Sequence, residues 1–146
     1  MSDDWTTPGV YEVAPGVHRI PLPLPNDGLR AVNVYAVTGP DGPVLIDSGW
    51  AVADARELLA TALRELGAEL GDVQRFLVTH MHRDHYSQAI HLRSEFGTTV
   101  ALGAEERWSL ELVSRPDRKE AEEQVAPLRA LGAADIAEKM SGNRPH

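Results

Sequence analysis

The sequence predicts an α/β fold: a meander of short strands that gives way to alternating helices and strands. Three observations carry this. Four β-branched and aromatic runs divided by Gly/Pro turns fill the first third of the chain. After about residue 50 the apolar period changes from two to that of a helix. From there helix-like and strand-like segments succeed one another, the pattern of a layered α/β arrangement.

Taken in order, Val10-Tyr11-Glu12-Val13, Val17-His18-Arg19-Ile20, Val32-Asn33-Val34-Tyr35-Ala36-Val37 and Val44-Leu45-Ile46 are the expected strands. Ala14-Pro15-Gly16 and Gly39-Pro40-Asp41-Gly42-Pro43 between them are turn chemistry. Pro21-Leu22-Pro23-Leu24-Pro25 lacks three ladder donors, so an edge or a loop is expected there. Leu59, Ala62, Leu63 and Leu66 fall at i, i+3, i+4 and i+7, which predicts a helix from about Ala51 to Leu66 stopped by Gly67. Phe76-Leu77-Val78 reads as a buried strand. A helix from about Tyr86 to Glu95, aligning Ala89, Leu92 and Phe96, is closed by Gly97, and Thr98 to Leu102 forms a further strand. Glu105–Val113 and Arg118–Leu131 are helix candidates, the latter with Val125 and Leu128 inward and Pro127 kinking or restarting it. The charged run Asp117–Glu123 is read as a solvated helix face and Ser141–His146 as a frayed tail.

At 146 residues the chain can bury one ordinary core, and its 42% hydrophobic and 25% charged content is that of a globular protein rather than a disordered one. A net charge of −8 argues against nucleic acid, whose phosphates call for clustered Lys and Arg. No run reaches the roughly 18 apolar residues of a membrane span. Met1-Ser2-Asp3-Asp4 has neither the basic nor the apolar region of a signal peptide, so a cytoplasmic location is the expectation. With no cysteine, disulfides and thiolate metal sites are excluded.

The most informative segment is Thr79-His80-Met81-His82-Arg83-Asp84-His85, which places three of the six histidines and a carboxylate in one short stretch after an apolar strand. Neutral imidazole nitrogens and carboxylate oxygens are ligands for zinc and related divalent ions. In extended chain residues two apart share a side, so His80 and His82 can address one point, with Asp84 continuing that register and His85 turned elsewhere. One loop then offers two ligands to each of two adjacent positions. Helix initiation near residue 85 favours the Asp84 carboxylate through the helix dipole. A solvated His-rich loop is the simpler reading of any one of these residues; four ligand-type side chains at this register favour a metal site.

This H-x-H-x-D-H segment resembles the signature of the metallo-β-lactamase superfamily. Val44-Leu45-Ile46-Asp47-Ser48-Gly49 is similar to that family's apolar strand ending in Asp-Thr/Ser-Gly, and one helix and one strand separate the two motifs as they do there. The resemblance implies His80 and His82 as ligands of a first metal and Asp84 and His85 as ligands of a second. It also implies that Asp84 orients the attacking nucleophile, and that Asp47 fixes the metal-binding loop from behind. The alternative for Asp47 is an ordinary turn-forming Asp. The implied cofactor is Zn2+, two per complete site, with iron or manganese as alternatives. The implied fold is one half of an αββα sandwich, with residues 1–112 as the metallo-β-lactamase-like N-terminal half and residues 113–146 as a charged helical extension.

The implied activity is hydrolysis of an ester, thioester or lactone carbonyl by a metal-activated hydroxide. Thioester, lactone or glyoxalase-II-like substrates are preferred over β-lactams. The family's downstream His, bridging Asp and second His have no counterpart here: His91 is read as a surface residue and His146 is unassigned. The expectation is therefore a fragment of a longer enzyme. A small-molecule substrate is the expected partner, with the missing C-terminal half or a second chain supplying further ligands, and neither nucleic acid nor membrane. The alternatives are a non-catalytic or degenerate metal-binding module and an iron-dependent oxidoreductase of the same superfamily. The family's frequent Gly two residues past the final His is replaced by Ser87. Tyr86 has two readings, a cover over the metals that contacts substrate or a side chain packed on the sheet.

Overall fold

Six strands form a single sheet in the order β1-β2-β3-β4-β5-β6. The computed structural model describes residues 4–25, 28–114 and 120–142. The strands are β1 (Tyr11–Ala14), β2 (Val17–Pro23), β3 (Ala31–Val37), β4 (Val44–Ile46), β5 (Arg75–Val78) and β6 (Thr99–Leu102). The helices are α1 (Ala53–Glu65), α2 (Arg83–Phe96), α3 (Glu106–Val113), α4 (Glu120–Ala130) and α5 (Ala134–Gly142), with a 3-10 turn at Leu70–Asp72. β1 to β4 pair antiparallel, while β4, β5 and β6 are parallel, joined by crossovers through α1 and α2. The α/β class, with a meander leading into alternating elements, is thus the observed one.

The chain divides into two compact units, Met1–Arg107 and Trp108–His146. The first holds the whole sheet, α1 and α2. Its core follows from the strand period: Ile20, Leu22, Val32, Val34, Ala36, Leu45, Phe76 and Val78 are buried on one face. Ala36, Leu45, Phe76 and Val100 are register partners on that face across four strands. Ala55, Leu59, Ala62 and Leu63 of α1 and Ala89 and Leu92 of α2 close over it. On the opposite face the register row Tyr35, Ile46, Leu77 is only partly covered, and Leu77 remains 41% exposed.

Some local outcomes differ from the sequence reading. The proline-rich stretch enters β2, but beyond Arg19 that strand pairs only with β3, so the prolines occupy a locally one-sided ladder where a missing N–H is tolerated. α2 begins at Arg83, three residues early, and its inward stripe is His85, Gln88, Ala89 and Leu92; Phe96 stays 43% exposed. Ala89 and Leu92 are inward as the apolar period predicts, while Gln88 joins them as a buried polar residue that this period does not mark. Gly97 closes α2 as expected, in the left-handed conformation, with its N–H on the Arg93 carbonyl.

In the second unit α4 continues through Pro127, and Gly132 (φ 80°) turns the chain into α5, a helix the apolar pattern did not announce. α4 and α5 pack together, and Val125 and Ala137 are buried. The side chains of the Asp117–Glu123 run and residues 143–146 of the tail lie outside the described part. No helix among the described residues is long and apolar enough to cross a membrane.

Candidate functional site

The carboxyl ends of two adjacent parallel strands, β4 and β5, define the site, a position where α/β sheets commonly bind ligands. Past β4, the Asp47 N–H still donates to the Leu77 carbonyl (3.1 Å), after which the chain turns sharply. Asp47 takes a left-handed conformation (φ 61°), which Asp tolerates better than most residues. Ser48 and Gly49 follow, both buried. A Cβ at Gly49 (φ 84°) would lie 2.6 Å from Leu22 Cδ1, so the close passage of this loop over β2 requires glycine.

The turn aims the Asp47 carboxylate at the end of β5. Asp47 is 5% exposed, and its oxygens receive the Thr79 N–H (2.8 Å, Oδ1), the Thr79 hydroxyl (2.9 Å) and the His85 Nδ1–H (2.8 Å, Oδ2). Three donors on one buried carboxylate satisfy a group that would otherwise be costly to bury. Asp47 therefore clamps the end of β5 to the start of α2, which is more than a turn-forming Asp does.

Ser48 locks the same junction. Its N–H donates to the His85 carbonyl (2.9 Å), its hydroxyl donates to that carbonyl (2.9 Å), and the Ala89 N–H donates to the hydroxyl (3.0 Å). His85 and Ala89 stand four apart on α2, so Ser48 Oγ bridges two groups that an α-helix ordinarily pairs with each other. The Ala51 N–H donates to Ser87 Oγ (2.9 Å) and the Gln88 N–H to the Gly49 carbonyl (3.3 Å). Ser87 thus ties the two loops together, a role that a glycine there could not fill. Tyr86 is half-buried and packs against the core.

On this frame the histidines gather. The His80 and His82 ring centres are 4.5 Å apart and those of His80 and His85 are 4.1 Å apart. His85 Nε2 lies 3.3 Å from Asp84 Oδ2. Because α2 starts at Arg83, Asp84 and His85 sit on its first turn rather than continuing an extended register. The helix curls His85 back toward His80 instead of turning it away. The Met81 N–H donates to Glu106 Oε2 (3.2 Å), holding the loop between the two leading histidines. Arg83 places its guanidinium 5.3 Å over the Trp50 ring beside the cluster. His91 is exposed, and His146 lies outside the described residues. Thr79, Ser48, Ser87 and Glu106 were not singled out from the sequence for these contacts. The only available signal was that Thr79 and Ser48 adjoin the two motifs.

The chemistry of this donor set suits a cation. With Nδ1–H given to Asp47, His85 turns its Nε2 edge toward the Asp84 oxygen at 3.3 Å, where positive charge, either a proton on the imidazole or a bound cation, offsets the carboxylate. The number of donors is smaller than a complete catalytic site needs. Among the described residues no group of three or more His, Cys, Asp or Glu side chains is placed to hold a metal ion.

A mixed sheet with two motif loops at its parallel strand ends, one carrying clustered imidazoles, is the arrangement that the comparisons with known proteins match. The family model of the metallo-beta-lactamase superfamily matches residues 27–121, more than half of the sequence, and the chain belongs to that superfamily. Among solved structures it is similar to a metallo-beta-lactamase family protein from Thermus thermophilus (28% identity, TM-score 0.71, 88% of this chain and 43% of that one). It is also similar to a beta-lactamase domain protein from Burkholderia ambifaria (25% identity, TM-score 0.56, 72% of this chain and 35% of that one). A subclass B3 metallo-beta-lactamase from a soil metagenome library shares the fold (22% identity, TM-score 0.58, 82% and 41%). The chain spans less than half the length of each of these structures. A search of curated proteins finds no match.

Proposed function

We propose that this chain contributes the leading half of the metal centre of a zinc-dependent hydrolase acting on an ester, thioester or lactone carbonyl. The observation that carries the reading is the Asp47-buttressed cluster of His80, His82 and His85 at the ends of β4 and β5. His80 and His82 would hold one ion and Asp84 and His85 a second, with the remaining ligands coming from polypeptide outside the described residues. An ion bound there supplies Lewis acidity and a water acidic enough to attack at neutral pH.

The chain's own residues do the rest. Asp47 and Ser48 fix the two loops so that donors are positioned before any ligand arrives. Asp84, on the first turn of α2, would accept a hydrogen bond from the attacking water and orient it. Its carboxylate is favoured there by the helix N-terminus.

The absence of a three-donor group among the described residues specifically favours a second reading, a non-catalytic metal-binding module. Metal analysis of the longest expressible form, together with hydrolysis of a thioester, a lactone and a chromogenic β-lactam, separates the readings. Zinc near two per complete site with thioester or lactone turnover supports the hydrolase. Bound zinc without turnover on any substrate supports the module. Iron in place of zinc overturns both and favours the oxidoreductase branch, and β-lactam turnover alone corrects the substrate class.

A further inference from the structure

The hydrogen bonds behind the histidine cluster have a direction, and that direction decides which nitrogen of His80 carries its proton. Thr79 Oγ1 lies 2.9 Å from both oxygens of Asp47 and 3.0 Å from His80 Nδ1. A hydroxyl has one hydrogen to give. An ionised carboxylate is the stronger acceptor, since charge-assisted hydrogen bonds are roughly twice as strong as neutral ones. The Asp47 carboxylate is also buried, where a weakly satisfied acceptor is costly.

The hydroxyl hydrogen therefore goes to Asp47, leaving the oxygen of Thr79 as an acceptor for His80 Nδ1–H. The geometry points to Thr79 as the positioning residue that sets the His80 tautomer. Through it, the single carboxylate of Asp47 orients two imidazoles, His85 directly and His80 by relay. His80 thereby keeps its proton on Nδ1 and a bare Nε2. The Thr79 N–H, which also donates to Asp47, fixes the hydroxyl's own position (2.8 Å). His82 stands outside this relay: at the N-cap of α2, its side chain makes no capping hydrogen bond.

This assignment rests on the metal-centre reading for its purpose but not for its test, because the tautomer is read on the full chain without added metal. Long-range 1H–15N correlation spectra, recorded where imidazoles are neutral, distinguish Nδ1–H from Nε2–H. The expected result is Nδ1–H for His80 in the unmodified chain. Thr79→Val is expected to convert it to the Nε2–H form that prevails for free imidazole side chains, and Thr79→Ser to restore Nδ1–H. Zinc affinity should fall about 10–100-fold in Thr79→Val and recover in Thr79→Ser. Nε2–H for His80 in the unmodified chain overturns the assignment outright. So does retention of Nδ1–H in a folded Thr79→Val chain. If the unmodified chain binds no zinc, the metal-centre reading fails while the tautomer result still decides this one.

Discussion

His85 Nδ1 lies 2.8 Å from Oδ2 of Asp47, a contact between residues 38 apart in sequence that joins the two motif loops. The aspartate reaches it from a left-handed backbone (φ 61°) and is buried, whereas the His85 side chain is 21% exposed. The arrangement puts the restraint inside and the reactive edge outside. Such a partner behind an imidazole fixes its ring orientation and tautomer.

Removing that restraint should affect stability as well as chemistry. Asp47→Asn preserves shape and tolerance of the left-handed backbone but presents an amide hydrogen to donors. Its expected cost is about 1–3 kcal/mol. Asp47→Ala adds about 1 kcal/mol for the backbone conformation. Urea denaturation checks both, and midpoints equal to that of the unmodified chain would show that Asp47 is only a turn residue.

Ser48 bridges His85 and Ala89 from a fully buried position, so Ser48→Ala removes the hydroxyl from both, leaving the His85 carbonyl its bond from the residue-48 N–H and the Ala89 N–H without that acceptor. The expected loss is about 1–3 kcal/mol, toward the lower end if the helix closes its own bond. Faster hydrogen exchange at Ala89, read by NMR, is the local signature. Unaltered protection there contradicts the bridge.

Gly49→Ala tests the close approach of the loop to β2. The added methyl meets Leu22 Cδ1 at 2.6 Å on a backbone of φ 84°, and the expected destabilisation is about 1–3 kcal/mol. Relief by the double variant Gly49→Ala with Leu22→Val would locate the clash at this contact. Equal stability of Gly49→Ala and the unmodified chain would show that the loop passes farther from β2.

His82 separates ligand from scaffold. It is exposed and its side chain caps nothing, so His82→Ala should leave the metal-free stability within about 0.5 kcal/mol. On the proposed function, bound zinc should fall with the lost ligand and turnover should disappear. Metal content and activity equal to those of the unmodified protein would remove His82 from the site.

The class of fold and the two motif loops were legible because they depend on local chemistry. Alternating Val, Ile and Tyr specify strands, Leu59–Ala62–Leu63 specifies a helix face, and the left-handed turn before Gly49 is spelled by Asp47-Ser48-Gly49. A dense histidine stretch after Phe76-Leu77-Val78 brings imidazoles together at the end of that strand wherever the chain goes. The inward stripe of α2 was less legible, because its second member is Gln88 and its first is His85, neither of them apolar. α5 was missed for a related reason: in a small two-helix unit few positions are buried, so the period has few members to show.

By its order of residues alone this protein specified its strands, its crossover helices and which side chains are of ligand type. Only the tertiary structure decided which nitrogen faces which oxygen. Thr79, Ser48 and Ser87 have hydroxyls that look interchangeable in sequence. Their roles arise when β4 and β5 align in parallel and bring residues 47–51 against residues 79–89. Hydrogen bonds are directional and short-ranged, so a contact spanning more than 30 residues is fixed by the packing of the sheet and not by the neighbours of either residue.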